Sequence, residues 1–204
     1  MSEIILDLCG GTGSWSKPYR EAGYDVRVIT LPEHDVREYS PPENVYGILA
    51  APPCTHFSSS GARWWPEKDL DGRTIEDMGI VLACLRIIAQ CYPVFWCLEN
   101  PVGRLRRWMG PPVMYFNPCD YGDPFTKKTA LWGRFNVPEK TPCQPLENIH
   151  EAGHNKPERR FPSKMHLLPP TKDRAILRAI TPPGFARAFF EANNVEVRGC
   201  PTEF

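Results

Sequence analysis

The chain has 204 residues, with 24 Lys and Arg balanced by 24 Asp and Glu. That length suits one domain with a substantial core, and the neutral balance excludes a global field that gathers polyanions, though not a local basic cleft. No apolar run reaches the roughly 18 residues of a membrane span, and the N-terminus enters a strand pattern without a leader, so we expect a cytoplasmic protein with no membrane partner.

Glu3-Ile4-Ile5-Leu6-Asp7-Leu8 is a short apolar strand. It runs into Cys9-Gly10-Gly11-Thr12-Gly13-Ser14 and a helix near Ser16 to Ala22, which Gly23 ends. Tyr24 to Thr30 is a second strand and Tyr46 to Ala50 a third. Ile75 to Cys91 carries the apolar spacing of a helix, and Pro93 to Leu98 is a fourth strand. Thr129 to Trp132 suits another strand. Pro183 to Asn193 is a last helix, with Phe185, Ala186, Phe189 and Phe190 on one face and a frayed tail after Asn194. This rhythm predicts an α/β fold, an open and mostly parallel sheet flanked by helices. We divide it into a catalytic core (1–135), a loop-rich stretch (136–178) and a C-terminal helix returning to the core (179–204).

The unusual motifs all follow strand ends, where ligands bind in such sheets. Asp7 to Ser14 is a glycine loop that lets backbone approach a ligand closely. It lacks dinucleotide spacing and the P-loop ending, and a tight turn explains it as well. His34-Asp35-Val36 follows the second strand, where an acid can meet an adenine or ribose edge or simply face solvent. Pro52-Pro53-Cys54 holds a thiol on stiff backbone, either as a nucleophile or as an incidental turn cysteine. Glu99 closes an apolar run, so partial burial should raise its pKa and let it hold a proton near neutrality. A thiol and a proton-donating carboxyl at neighbouring strand tips form a covalent-catalysis pair. Asp120 to Thr129 carries Lys127 and Lys128, suited to an anionic or carbonyl-bearing substrate or to plain solvation.

Ser58 to Pro66 reads as a small, flexible loop ending in Arg63, Trp64 and Trp65. Arg63 suits a phosphate, and a tryptophan suits a vacated base stack, unless both rings pack on the sheet edge. Arg104, Arg106 and Arg107 form one basic cluster, and Arg159, Arg160 and Lys164 another. Both suit phosphate contacts or solvated faces. Of the eight cysteines, Cys84, Cys91 and Cys97 lie in apolar segments and read as small buried hydrophobes in a reducing compartment. Cys143, His150, His154 and His166 are zinc-type residues whose spacing matches no common zinc pattern, and we expect no metal.

Taken in order, these motifs resemble the DNA cytosine-5 methyltransferases, over residues 4 to 193. Asp7-Leu8-Cys9-Gly10-Gly11-Thr12-Gly13 resembles the family's S-adenosylmethionine loop, with Ser14 next to it, and Asp35-Val36 its pair beside the adenine. Pro53 and Cys54 fall on the family's proline and nucleophile, and Glu99-Asn100 on its Glu-Asn pair. Tyr121-Gly122 with Pro124 and the lysines resembles a segment that elsewhere carries arginines. Ile180 to Ala186, including Thr181, resembles the closing motif that returns to the cofactor. Departures are Thr30-Leu31 in place of a ribose-binding acid, with Glu33 as substitute, lysines for arginines, and Ala179 for asparagine. Arg178 and Ala179 also leave room for a modified donor.

The resemblance implies a Rossmann-like fold, S-adenosyl-L-methionine as cofactor and methyl transfer to C5 of cytosine in DNA. Cys54 would attack C6, Glu99 would bond N3, and Lys127 or Lys128 would lower the cost of the thiolate. Ser58, Arg63, Trp64, Asn100, Arg104, Arg106, Arg107, Arg159 and Arg160 would meet substrate. The stretch from Gly133 to Ile180 is short for this family, which implies a reduced target-recognition segment and little sequence readout. Duplex DNA with a flipped base is the expected partner, bound by a monomer in a bacterial or phage-infected cell. The same chemistry on RNA or a free cytosine nucleotide, and an inactive cofactor or nucleic-acid binder, are the alternatives.

Overall fold

A computed structural model describes residues 2–143 and 174–194. Arg159, Arg160, Lys164, His150, His154, His166 and the tail beyond Asn194 lie outside the described residues. Strands are β1 (Ile4–Leu8), β2 (Asp25–Ile29), β3 (Val45–Ala50), β4 (Phe95–Pro101), β5 (Met114–Phe116) and β6 (Thr129–Arg134). They form one six-stranded sheet in the order β2-β1-β3-β4-β6-β5. The first four are parallel, and β6 runs antiparallel to both β4 and β5. This is the expected α/β architecture, a Rossmann-like open and mostly parallel sheet.

Helices are α1 (Lys17–Glu21), α2 (Trp65–Leu70), α3 (Arg73–Cys91), α4 (Arg106–Met109), α5 (Arg174–Ala179) and α6 (Pro183–Asn193). Short 3-10 turns cover Ser59–Trp64 and Pro118–Tyr121. The strand alternation splits the core in two. Leu6, Leu8, Ile48, Ala50 and Leu98 face Val81, Cys84 and Ile87 of α3. On the other face Ile5, Leu49, Phe95 and Cys97 join Trp15, Tyr19, Phe185 and Phe189. Trp15 meets Phe185 and Phe189 at ring separations of 6.1 and 5.4 Å, which fastens α6 beside the glycine loop.

Three elements depart from the sequence expectation. β4 continues through Glu99, Asn100 and Pro101, because each pairs with a residue of β6. β5 is a three-residue strand with no pattern of its own. The expected flexible loop after Cys54 is a 3-10 turn followed by α2, with Ser58 capping it by accepting from the Ser60 N–H.

Strand order reverses between β1 and β3, and such a switch opens a crevice at the strands' carboxyl ends. The glycine loop and Pro52-Pro53-Cys54 flank that switch. Since β6 is antiparallel, its beginning lies at the same edge: Thr129 pairs with Pro101, and Lys127 enters from that side.

Candidate active site

The glycine loop is shaped by backbone. Cys9, Gly11 and Gly13 all take positive φ, and the Cys9 N–H donates to the Ile29 carbonyl at 2.8 Å. A Cβ on Gly10 would stand 2.4 Å from the Asp7 carboxylate, so only glycine permits this approach. Asp7 is fully buried and accepts from Ser16 Oγ at 2.6 Å through Oδ2, while its Oδ1 has no partner. Burial pushes its carboxyl up to about 6, against the opposing pull of the Ser16 hydrogen bonds. The Thr181 N–H donates to Ser14 Oγ at 2.9 Å, which brings the segment before α6 onto the loop. A cradle of bare backbone beside an unpaired buried carboxylate oxygen suits a ligand with an amino-acid end. Leu8 is core, and Thr12 is exposed.

The β3 tip is shaped by side chains. Cys54 is partly buried. The Phe57 and Ser58 N–H groups donate to its carbonyl at 3.0 and 2.9 Å. Segment 57–59 is stitched to the chain beyond β4: Ser58 bridges Gly103, the Ser59 N–H donates to Val102 O at 3.0 Å, and the Arg104 N–H donates to Phe57 O at 2.8 Å. A Cβ on Gly103 would lie 1.9 Å from Phe57 O, so a glycine is required for that contact.

Four side chains clamp the turn further. Arg104 is 3 % exposed and donates to His56 O at 2.8 Å, the Asp69 carboxylate at 2.8 Å and Thr74 Oγ1 at 2.6 Å. Lys68, also buried, donates to Thr55 O at 2.7 Å. His56 Nδ1 lies 2.5 Å from Asp77 Oδ2. Asn100 is fully buried and donates from Nδ2 to Pro52 O at 3.1 Å.

Arg104 and Asn100 were expected to touch substrate. The structure instead gives Arg104 to three internal partners, whereas Asn100 spends its Nδ2 on Pro52 O and keeps a buried Oδ1 without a partner. The expected flexibility of this loop is corrected for the same reason. Neither Lys68 nor the His56–Asp77 pair carried a sequence signal.

Glu99 lies on the β4 face shared with Cys97, two residues beyond it along the strand. Burial raises its carboxyl above the usual glutamate value, and Lys127 opposes that rise. The Cys54 thiol is raised too, first by burial and then by Glu99, while Lys127 and Arg178 pull it down. Thiol, carboxyl and ammonium therefore act on one another at one edge. Lys127 thus eases the thiolate, as one of the two expected lysines, while burial and Glu99 together leave the thiol raised.

The two lysines separate. Lys127 faces the pair and donates to Arg178 O at 2.9 Å, whereas Lys128 lies over the Tyr115 ring, 5.3 Å from its centroid.

The remaining expected residues are exposed or engaged with other partners. Asp35 makes a two-pronged pair with Arg37, with contacts of 3.0 and 2.5 Å, which holds its carboxyl down at about 2. Val36 is buried in the α3-side core, and Glu33 is exposed. Arg63 lies over the Trp64 ring at 4.8 Å, and Arg106 and Arg107 are exposed on α4. Pro53 is exposed at the tip. Among the described residues no group of three or more His, Cys, Asp or Glu is placed to hold a metal, and no helix is long and apolar enough to cross a membrane.

No family model matches the chain, and no curated protein matches it. Among solved structures, it is similar to one described as a DNA modification methyltransferase encoded within a prophage (E. coli), at 17% identity and a TM-score of 0.47, over 71% of this chain and 53% of that one. It is also similar to a methyltransferase of Entamoeba histolytica, at 13% identity and a TM-score of 0.44, over 78% and 58%. The chain spans little more than half the length of either.

Proposed function

We propose that the chain transfers a methyl group from S-adenosylmethionine to C5 of a cytosine in DNA, through a transient bond between Cys54 Sγ and C6. The observation that carries this is the convergence of Cys54, Glu99 and Lys127 at the sheet edge that also bears the glycine cradle. Binding alone needs neither a nucleophile nor a proton-holding carboxyl.

The loop from Cys9 to Gly13, with Asp7 beneath it and Ser14 and Thr181 beside it, would hold the cofactor. S-adenosylmethionine, when bound, supplies an electrophilic methyl group. The cytosine C5 is too poor a nucleophile to accept one unaided. Addition of the Cys54 thiolate to C6 moves the ring's electrons toward C5 and N3. Glu99, kept toward its protonated form by burial, donates a hydrogen bond to N3 and stabilises that charge. After C5 has gained its methyl, a base removes the C5 proton, the C6–Sγ bond breaks and the ring is restored.

The coupling between the two groups fits this sequence. An ionised Glu99 raises the thiol's pKa, so a proton on Glu99 favours the thiolate on Cys54. Lys127 favours the thiolate directly. In a duplex the target base must first leave the stack, at a cost of a few kcal/mol.

DNA carrying 5-fluorocytosine tests the chemistry, because fluorine cannot leave as a proton does and the adduct persists. With S-adenosylmethionine present, wild type should become covalently attached and Cys54→Ala should not. No adduct with wild type, or equal adduct with Cys54→Ala, overturns the mechanism. Methyl transfer confined to a free cytosine nucleotide overturns the DNA assignment.

A further inference from the structure

Three tryptophans and three arginines gather beside the Cys54 turn. Trp64 and Trp108 are 48% and 51% exposed, a large amount for indoles on so small a chain. Neither is a loose side chain. Arg63 lies 4.8 Å from the Trp64 centroid. Arg104 sits between Trp65 at 4.9 Å and Trp108 at 6.0 Å, with its guanidinium spent on His56, Asp69 and Thr74. Phe57 meets Trp108 edge-on at 6.0 Å, and Arg107 approaches Trp65 at 5.7 Å. The buried Arg104 therefore fixes Trp65 and Trp108 to the same turn that presents Cys54, and Trp64 adjoins Trp65 in the chain.

The exposed cations Arg63 and Arg107 lie against Trp64 and Trp65. Of the nearby acids, Glu67 and Asp71 pair with Arg73, and Asp69 pairs with Arg104 while also feeling Arg107. Flat aromatic faces alternating with arginines suit a polyanion whose bases are free to stack. A duplex covers its base faces with neighbouring bases and offers only its backbone, which cations alone would serve.

We propose that Trp64 and Trp108, with Arg63 and Arg107 beside them, form a shelf on which unpaired bases of a single-stranded nucleic acid stack next to the Cys54 site. This rests on the reading of that site as acting on a nucleic-acid base, and it narrows the substrate from duplex to unpaired strand. Stacking reads the faces of bases, so the shelf accepts DNA and RNA strands alike.

Anisotropy titrations with labelled oligonucleotides of about 12 nucleotides, at one fixed salt concentration, test this. Probes are a DNA strand, an RNA strand of the same sequence and the DNA duplex. Both strands should bind wild type at least about tenfold more tightly than the duplex does. Trp64→Ala and Trp108→Ala should each weaken strand binding by roughly 5- to 100-fold. Trp64→Tyr and Trp108→Tyr, which keep a flat ring, should retain most of it. Equal or tighter duplex binding, alanine variants within about twofold of wild type, or tyrosine variants as weak as alanine ones would each overturn the shelf. Cys54→Ala separates the two proposals. If it binds strands like wild type while wild type forms no 5-fluorocytosine adduct, the chemistry fails and the shelf stands. If the adduct forms while the tryptophan variants bind normally, only the shelf fails.

Discussion

The loops after β1 and β3 lie on either side of the sheet's switch point, yet they are built by opposite means. The first is shaped by what is missing. Gly11 and Gly13 reach positive φ, Gly10 rests on the Asp7 carboxylate, and nothing within 4 Å fills the space a Cβ on Gly11 would enter. The second is shaped by what is added. Prolines stiffen it, and Asn100, Arg104, Lys68 and Asp77 grip it from three other segments. On the proposed function, the loop that would admit a ligand keeps its backbone bare, while the loop that would aim one sulfur is bound at nearly every residue. A nucleophile misplaced by an ångström loses much of its rate, whereas a cradle tolerates small motions.

Arg104→Ala should break this contrast most strongly. It removes three charge-assisted hydrogen bonds from a buried guanidinium, and since Asp69 remains partly solvated the loss should be about 3 kcal/mol, near the low end for a broken buried pair. Urea unfolding measures the loss. Amide exchange should quicken across 55–64 while 9–14 keeps its protection; equal quickening in both loops would show that they are not independent.

Asp7→Asn should act in the other direction. The Asp7 carboxyl, raised to about 6, holds its proton in the folded state at a pH where the unfolded chain has released it. Its share of stability is thus fully present below about pH 4 and is lost as pH rises through 6. Asparagine keeps an acceptor for Ser16 without that charge. It should raise stability at pH 7.5 by an amount on the order of 3 kcal/mol and flatten the fall between pH 4 and 6. An unchanged fall would place the linked proton elsewhere.

Lys127→Ala should give the smallest effect and resolve the two lysines. Alkylation of Cys54 should still be climbing with pH above the ~8.5 of a free thiol, because burial and Glu99 raise its pKa. Losing Lys127 should move that climb to higher pH, and Lys128→Ala should leave it in place. Identical profiles for the two variants would contradict the separation seen at the start of β6.

The parallel half of the sheet was legible because each strand is a short, mostly apolar segment with a turn behind it. The glycine loop, Cys54 and Glu99 were legible because each breaks a local rule: glycines in a row, a thiol between stiffeners and polar residues, a charge closing a hydrophobic run. The clamp was not. Lys68 and Arg104 look like any surface cations in sequence, and what buries them is pairing between 57–59 and 102–104, which no local period announces. Gly103, placed just beyond the β4 tip, was the one available hint of a close approach. β5 escaped because three residues are too few to show alternation.

The hydrogen bond from the Thr181 N–H to Ser14 Oγ spans 167 positions of chain. During synthesis the residues that shape the cradle emerge well before the segment that closes it. Trp15 likewise waits for Phe185 and Phe189 to cover it. Such distant partners make for slow closure, because a long loop must be ordered before any contact repays it. A nascent chain can thus hold the parallel strands and the Cys54 turn while its cradle is still half-walled, so competence to hold a ligand there would arrive late and all at once.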